Sequence, residues 1–418
     1  MAHENNVINA FYNWLILLME SWKFNLIFVW VGCFFTGMAM SQIIPFLPLF
    51  IEQLGVSEHD KLALWAGLIF SVTFVVSAAV SPLWGRLADR KGRRLMMLRA
   101  SLGMSVLIFL QAFVTEVWQL LALRALMGLT SGYIPNAMAL MVAQIPRGRS
   151  GWGLGTVSTG QISGVIIGPM LGGLLADVIG LRAVFMVTSA LLLVTFLFTL
   201  LLVKEINFQP VNKAKMLTGR EVFRTISNPV LIFSLFFTTL IIQLCNGSVT
   251  PVLTLFVRQL EPQVHNLAFI SGVIAALPGM AALMSAPGLG RLGDRIGTER
   301  ILIASLIMTV MLFIAMSQVN SAWQLGVCRF IFGFFEGAMM PAVQTLLLRF
   351  TSDRVIGRIF GYNQSFMYMG NVVGPLVGSA VSALGGFRWV FIVTALFVLI
   401  NIIQLVISWY NRSRINPA

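Results

Sequence analysis

Three charged residues, Arg124, Arg329 and Glu336, lie inside long apolar stretches of the sequence. A charge within a membrane is costly, so such residues normally face a partner or a water-filled cavity and mark a functional site. Of the 15 acidic residues, 14 fall in tails, loops or helix ends, and Glu336 is the exception. It follows Arg329 by seven residues, about two turns along the same helical face. We predict that Glu336 loads and releases a proton or binds a cationic substrate. The alternative is a hydrogen-bonded structural role, for Glu336 and for Arg124 alike.

Other residue types that carry chemistry are scattered singly along the chain: Cys33, Cys245, Cys328, His3, His59 and His265. Their spacing supports neither a disulfide framework nor a metal cluster nor acid/base chemistry on histidine. The sequence also lacks the Gly-x-x-x-x-Gly-Lys-Ser/Thr loop of ATP-driven proteins and any pairing of nucleophile and base. We therefore expect no enzyme activity, no cofactor and no use of ATP.

The elements that position these charges must cross a membrane. Hydrophobic residues make up 58% of the 418 residues and charged residues only 10%, whereas soluble domains carry about 25% charged residues. A lipid-exposed backbone must satisfy its own hydrogen bonds, which favours helices. Apolar stretches of about 20 residues are long enough to cross the membrane as helices. The pattern predicts an all-α integral membrane protein with twelve transmembrane helices, here called spans 1 to 12, over residues 24–51, 61–84, 95–114, 117–144, 152–176, 182–203, 229–257, 264–288, 300–318, 322–348, 358–383 and 387–409.

The net charge of +13 reflects 28 basic against 15 acidic residues, and the basic residues are unevenly distributed between the two sides of the membrane. With the N-terminus inside, 22 of the 28 basic residues fall on the cytoplasmic side, four fall outside and two lie within spans. This is the positive-inside rule, so we expect both termini in the cytoplasm and no nucleic-acid partner.

An internal repeat covers most of the chain at an offset of 205 or 206 residues. The segment starting at Gly85 recurs at Gly290, Arg124 recurs as Arg329, and the Gly-Pro pair that ends at Pro169 recurs as the pair that ends at Pro375. Because each copy holds six spans, the two halves are parallel repeats, and such transporters bind substrate near the midplane between the halves. The predicted organisation is an N-terminal segment, two six-helix bundles with a linker between them, and a tail, at 1–23, 24–203, 204–228, 229–409 and 410–418. Within the first segment, residues 11–19 are too short to span and either form an interfacial helix or precede a translation start at Met19.

Three motifs carry a family resemblance. The first is the loop sequence from Gly85 to Arg94 after span 2, the second is Arg124 with Gly128 in span 4, and the third is the glycine series of span 5. In this order and spacing they resemble the major facilitator superfamily, and more narrowly its twelve-helix drug:proton antiporters. The resemblance implies two pseudo-symmetric six-helix bundles in a bacterial inner membrane that work by alternating access, with a proton gradient as the energy source.

The resemblance also implies roles for these motifs. In the family the loop motif latches the halves together when the transporter faces outward, which we carry over to Gly85, Asp89, Arg90, Gly92 and Arg93, with Asp294 and Arg295 as a weaker copy. The alternative is that the basic residues only fix topology. Arg124 and Arg329 are assigned to proton coupling. The motif that accompanies export consists of Gly160, Gly164, Gly168, Pro169, Gly172 and Gly173.

Substrate residues follow from the family's architecture, in which spans 1, 4, 7 and 10 line the cavity, together with the unusually polar start of span 11. The candidates are Met38, Gln42, Tyr133, Asn136, Gln243, Asn246, Met340, Gln344, Tyr362, Asn363, Phe366 and Tyr368. Methionines and aromatic residues with few fixed charges suit variable lipophilic ligands. For any one of these residues, ordinary helix packing is the alternative.

The sequence therefore predicts a monomeric exporter of drugs or other amphipathic toxic compounds that works by proton antiport in contact with membrane lipid. A proton-linked uptake symporter or a facilitator for a small metabolite is the alternative function. Many drug antiporters of the family carry an acid in span 1, and this sequence has none between Lys23 and Glu52, so the prediction places coupling on Glu336 rather than on span 1.

Overall fold

The computed structural model describes residues 21–146, 149–206, 228–263, 265–351 and 355–415. It contains twelve helical segments long and apolar enough to cross a membrane, which confirms the predicted all-helical membrane fold. Their helices are Ser21–Gln42 with Leu47–Gln53 (span 1), His59–Lys91, Arg93–Gln111, Val117–Thr130 with Tyr133–Gln144 (span 4), Ser150–Ile179, Leu181–Leu201, Pro229–Val249 with Leu253–Leu260 (span 7), Leu267–Ile296, Thr298–Ser317, Ala322–Arg349, Ile356–Gly385 and Phe387–Ile415. The predicted N-terminal segment up to residue 20, most of the linker and the last three residues lie outside the described part.

Spans 1, 4 and 7 are interrupted, whereas the sequence predicts each as one continuous helix. Pro45, Pro135 and Pro251 lie at or just after these interruptions. Proline has no N–H to donate and its ring clashes with the carbonyl four residues earlier, so each proline favours a break. Pro45 and Pro251 are equivalent in the internal repeat, and the breaks in spans 1 and 7 are correspondingly related.

Spans 2 and 8 extend farther than predicted, to Lys91 and Ile296. Gly85 and Asp89 consequently lie on a helix instead of in a loop. The turns themselves fall at Gly92 and Gly297, whose φ angles are +95° and +107°. Only glycine adopts such angles without strain, which explains these two glycines of the repeated motif.

Two pairs of helices make the most extensive contacts between the first six spans and the last six. Span 5 packs along span 8, and span 2 packs along span 11. Within the first six spans the most extensive contact is between spans 1 and 5, and within the last six span 7 makes the equivalent contact with span 11. The central space is therefore bounded by helices from both halves of the repeat.

Large apolar side chains cover the outside of the bundle, as lipid contact requires. Trp118 and Trp323, which are equivalent in the repeat, are 62% and 68% exposed at the start of spans 4 and 10. Tryptophans at such positions anchor helices at the membrane interface.

Candidate functional site

A cavity of about 450 Å³ lies between the two halves and extends toward the end of the bundle where spans 2 and 3 meet at Gly92. We call this end the basic face. The cavity is lined by Thr36, Met40, Phe74, Ser77, Ser81, Trp84, Gly85, Arg93, Met104, Ser131, Gly132, Tyr133, Ile134, Pro135, Asn136, Gln364 and Tyr368. Apart from the charged side chain of Arg93, its wall combines apolar and aromatic surface with small hydroxyl and amide groups, which suits amphipathic ligands.

Three of the twelve predicted substrate residues, Tyr133, Asn136 and Tyr368, line this cavity. The other nine lie outside its lining: Met38, Gln42, Gln243, Asn246, Met340, Gln344, Tyr362, Asn363 and Phe366. The structure thus brings together only a part of the predicted set, mainly from span 4.

Some of the remaining predicted residues make packing contacts. Thr239 Oγ1 donates to Asn363 Oδ1 at 2.7 Å, and the Phe366 ring lies 5.3 Å from the ring of Phe236. Gln42 is buried at the break of span 1, and its side-chain amide has no hydrogen-bond partner among the described residues. In this conformation, Asn363 and Phe366 connect span 11 to span 7.

Span 2 supplies a wall of the cavity that the sequence prediction missed. Phe74, Ser77, Ser81 and Trp84 all line it. Their spacing of three, four and three residues places them on one helical face. This mixed aromatic and hydroxyl stripe is a signal that could have identified span 2 as a cavity helix.

Glu336 lies on span 10 and is partly exposed. The side-chain amide of Asn246, on span 7, donates a hydrogen bond to its Oε1 atom. Arg329, seven residues earlier on the same helix, is buried, and its Nε and Nη1 atoms have no hydrogen-bond partner among the described residues. The structure therefore brings two predicted coupling residues together with one predicted substrate residue.

Arg124, in the first half of the repeat, is the equivalent of Arg329. It is buried, and its Nε and Nη2 atoms lack a hydrogen-bond partner within the described part of the chain. Its main-chain oxygen accepts from Thr73 Oγ1 at 2.9 Å, while Gly128 lets span 2 approach this helix closely. Arg124 thus lies at the contact between spans 2 and 4, apart from Glu336 in the other half of the repeat.

The loop motif from Gly85 to Arg94, called the gating motif below, makes its contacts within the first half of the repeat. Arg93 Nη2 pairs with Asp89 Oδ1 at 2.5 Å, and Glu205 accepts from the backbone N–H groups of Arg93 and Arg94 at 2.8 and 3.0 Å. A carboxylate at the start of a helix satisfies its free N–H groups and complements its dipole. The sequence prediction missed this role of Glu205. Arg90, Asp294 and Arg295 are exposed.

The glycine motif packs span 5 against the backbone of span 1. A Cβ atom at Gly160, Gly164, Gly168 or Gly172 would meet backbone atoms of span 1. Gly173 faces span 8 instead, at Ala268 and Phe269, and the carbonyl of Pro169 faces Gly272. The motif therefore sets the close approach of spans 1, 5 and 8, as small residues at regular spacing allow.

The halves meet at the end of the bundle opposite the basic face. Arg258 Nη1 pairs with Glu52 Oε2 at 2.7 Å, and Asp177 Oδ2 accepts from the backbone N–H of Phe269 at 2.9 Å. Thr254 Oγ1 donates to the carbonyl of Pro45. Spans 1, 5, 7 and 8 thus close the cavity at this end.

At the basic face, the helices of the two halves are separated. A Cβ atom added to certain glycines near the basic ends of spans 2, 5, 8 and 11 would meet no atom within 4 Å: Gly85, Gly155, Gly288, Gly290 and Gly361. Toward the opposite face, glycines of the same helices are in close contact, as at Gly67 against span 11 and Gly272 against span 5. The structure is therefore a state open toward the basic face.

The fold and cavity are those of a transporter built from two six-helix halves, and a family model described as the Major Facilitator Superfamily matches residues 29–285 and 235–418. The chain belongs to the major facilitator superfamily. It is 58% identical to the multidrug resistance protein MdtG of Serratia proteamaculans, over 94% of this chain and 95% of that protein. It is 56% identical to MdtG of Escherichia fergusonii, over 94% of this chain and 96% of that protein.

Solved structures show the same fold at much lower identity. A bacterial homologue of the human lysosomal transporter Spinster, in an inward-facing and unoccupied conformation, aligns with a TM-score of 0.74 at 15% identity, covering 93% of this chain and 97% of that one. A mutant of the nucleoside transporter NupG aligns with a TM-score of 0.77 at 12% identity, covering 92% and 99%.

Proposed function

We propose that this chain exports drugs and other amphipathic toxic compounds across the bacterial inner membrane by proton antiport, and that it acts as a transporter rather than an enzyme. The observation that carries the proposal is the cavity of about 450 Å³, whose wall of Met40, Phe74, Trp84 and Tyr368 offers contact area without a rigid set of charges. Such a wall accepts ligands of different shapes. Relatives named as multidrug resistance proteins over 94% of the chain support this assignment.

Glu336 is the proposed coupling residue. Its partial exposure allows a proton to reach it, and the side-chain amide of Asn246 donates a hydrogen bond to its Oε1 atom. Protonation neutralises the carboxylate and so weakens the charge-assisted hydrogen bond from Asn246. Because Asn246 lies on span 7, the protonation state of span 10 is linked to a helix that helps to close the opposite face.

The proposed cycle alternates between the present state and one open at the opposite face. The basic face is cytoplasmic in this proposal, with both termini on that side, and the chain works as a monomer of two bundles, residues 24–203 and 229–409. In the second state the contacts of Glu52 and Thr254 separate. The basic ends of spans 2, 5, 8 and 11 then approach, and the Asp89 motif engages the second half.

Energised inverted membrane vesicles test the direction of transport. In these vesicles the cytoplasmic face points outward and the lumen is acidic, so an antiporter accumulates drug and releases protons from the lumen. Vesicles without the protein are the control. Accumulation that dissipates the pH gradient supports the proposal. An uptake symporter moves drug and protons out of the lumen together, and this result would contradict it.

A further inference from the structure

The break in span 4 leaves three backbone carbonyl groups without helical donors. The first part of span 4 ends at Thr130 and the second begins at Tyr133, with Gly132 at a φ of +116° between them. In a continuous helix the carbonyl of Ser131 would accept from residue 135, but Pro135 has no N–H. Unpaired carbonyls within a membrane protein are costly, so the break requires another donor.

Arg99 of span 3 supplies that donor. Its Nη1 atom donates to the carbonyl of Leu129 at 3.2 Å, and its Nη2 atom donates to the carbonyls of Thr130 at 3.3 Å and Ser131 at 2.6 Å. A cation at a helix C-terminus also complements the negative end of the helix dipole. One guanidinium group thus satisfies the whole end of the first helical part.

The same guanidinium stacks on a cavity residue. Its central carbon lies 3.8 Å from the centre of the Trp84 ring system, within the range of a cation–π interaction. Trp84 lines the cavity, as do all the residues from Ser131 to Asn136, which form the break and the first turn after it. Arg99 is absent from the cavity lining, but it connects the wall formed by span 2 with the wall formed by span 4.

The second half of the repeat shows that this arrangement is not a general requirement of the fold. Pro341, the equivalent of Pro135, lies inside the continuous helix Ala322–Arg349. At offsets of 205 and 206 from Arg99 the chain has Ala304 and Ser305, and Trp84 is replaced by Leu289. The arginine, the tryptophan and the break occur together in the first half only.

We propose that Arg99 is a positioning residue for substrate selection. Arg99 stabilises the interruption of span 4 at Ser131 and Gly132 and stacks on Trp84. These contacts fix the positions of the aromatic and amide groups in the cavity wall that contact aromatic compounds. The inference rests on the proposed function as a drug exporter. It assigns to Arg99 a role separate from topology, from proton coupling and from the gating motif.

The test compares two conservative variants. Arg99→Lys keeps the positive charge but cannot form the three-carbonyl contact and the flat stack together. Arg182→Lys is the matched control, because Arg182 also donates to two carbonyls at a helix end, those of Ala112 and Val114 at 2.7 and 2.9 Å, near the ring of Phe50. Arg182 does not line the central cavity.

The probes are tetraphenylphosphonium and tetrabutylammonium, two monovalent lipophilic cations that differ in the presence of aromatic rings. KM and maximal rate of export are measured in vesicles, and hydrogen exchange is followed in the purified proteins. We expect Arg99→Lys to raise KM for tetraphenylphosphonium by about tenfold relative to tetrabutylammonium, the effect of about one charge-assisted hydrogen bond. Amides of residues 130–136 should exchange faster. Arg182→Lys should leave the KM ratio unchanged.

Two results would overturn the inference. An unchanged KM ratio in Arg99→Lys, with faster exchange at residues 130–136, would make Arg99 a structural residue only. Unchanged exchange would show that Arg99 does not hold the break. A wild-type protein that exports neither cation would count against the proposed function instead, so the two failures are distinguishable.

Discussion

The ion pair between Glu52 and Arg258 offers a sharp test of how the opposite face closes. The two residues are 206 positions apart, the same offset that relates the halves of the repeat. They are therefore equivalent positions with opposite charges that pair across the approximate two-fold axis. Their side chains are 37% and 39% exposed, and pairs this accessible contribute about 0.2 to 1 kcal/mol. Losing the pair should raise the population of the state open at the opposite face by up to about fivefold.

Charge reversal measures this contribution. We expect Glu52→Arg and Arg258→Glu each to shift the protein toward the open state, by more than simple loss of the pair because like charges then face each other. The double variant should restore the original distribution, since the positions are equivalent. Spin labels at the exposed residues Gln53 and Gln259, with Cys328 replaced by serine, report the separation by double electron–electron resonance.

A nearby pair within one half serves as the control. Lys61 and Glu58 form an ion pair at 2.8 Å with both side chains more than 60% exposed. Lys61→Ala should leave the distance distribution unchanged. If the single reversals at Glu52 and Arg258 also leave it unchanged, or if the double variant behaves as the sum of the two, the pair does not hold the opposite face closed.

Two further predictions concern packing and coupling. Gly164→Ala would drive a Cβ atom into the backbone of Phe34, so it should destabilise the protein by about 1–3 kcal/mol in thermal unfolding in detergent, whereas Gly155→Ala points into open space and should be neutral; equal stability of the two variants would refute the packing argument. Asn246→Ala should slow pH-driven export by roughly tenfold, because it removes the hydrogen bond to Glu336; export at the wild-type rate would show that this hydrogen bond has no part in coupling.

The sequence was sufficient to predict the membrane fold, because twelve apolar stretches of spanning length leave few alternatives. It was less sufficient for helix ends and breaks. The charged residues at the ends of spans 2 and 8 lie beyond the apolar stretches but are still helical, so the helices continue to Lys91 and Ile296. The interruption near Pro251 had a local signal in the proline itself, and the prediction did not use it.

The cavity could be predicted only in part for two physical reasons. Which face of a helix borders the cavity depends on its rotation and on the conformational state, so Asn363 and Phe366 make packing contacts here although their polar and aromatic surroundings suggested substrate binding. The role of Arg99 depends on backbone groups that become available only where span 4 breaks. Contacts between side chains and distant backbone atoms leave no pattern in the sequence.

The most direct test of the proposed function is proton movement in proteoliposomes that contain either the wild-type protein or Glu336→Gln. With an imposed pH gradient and a drug that the wild-type protein exports, we expect drug-dependent proton counterflow from the wild-type protein. Glu336→Gln should bind the drug but give no drug-dependent proton counterflow. Proton-coupled export by Glu336→Gln at wild-type rates across the whole pH range would contradict the assignment of Glu336 as the coupling residue.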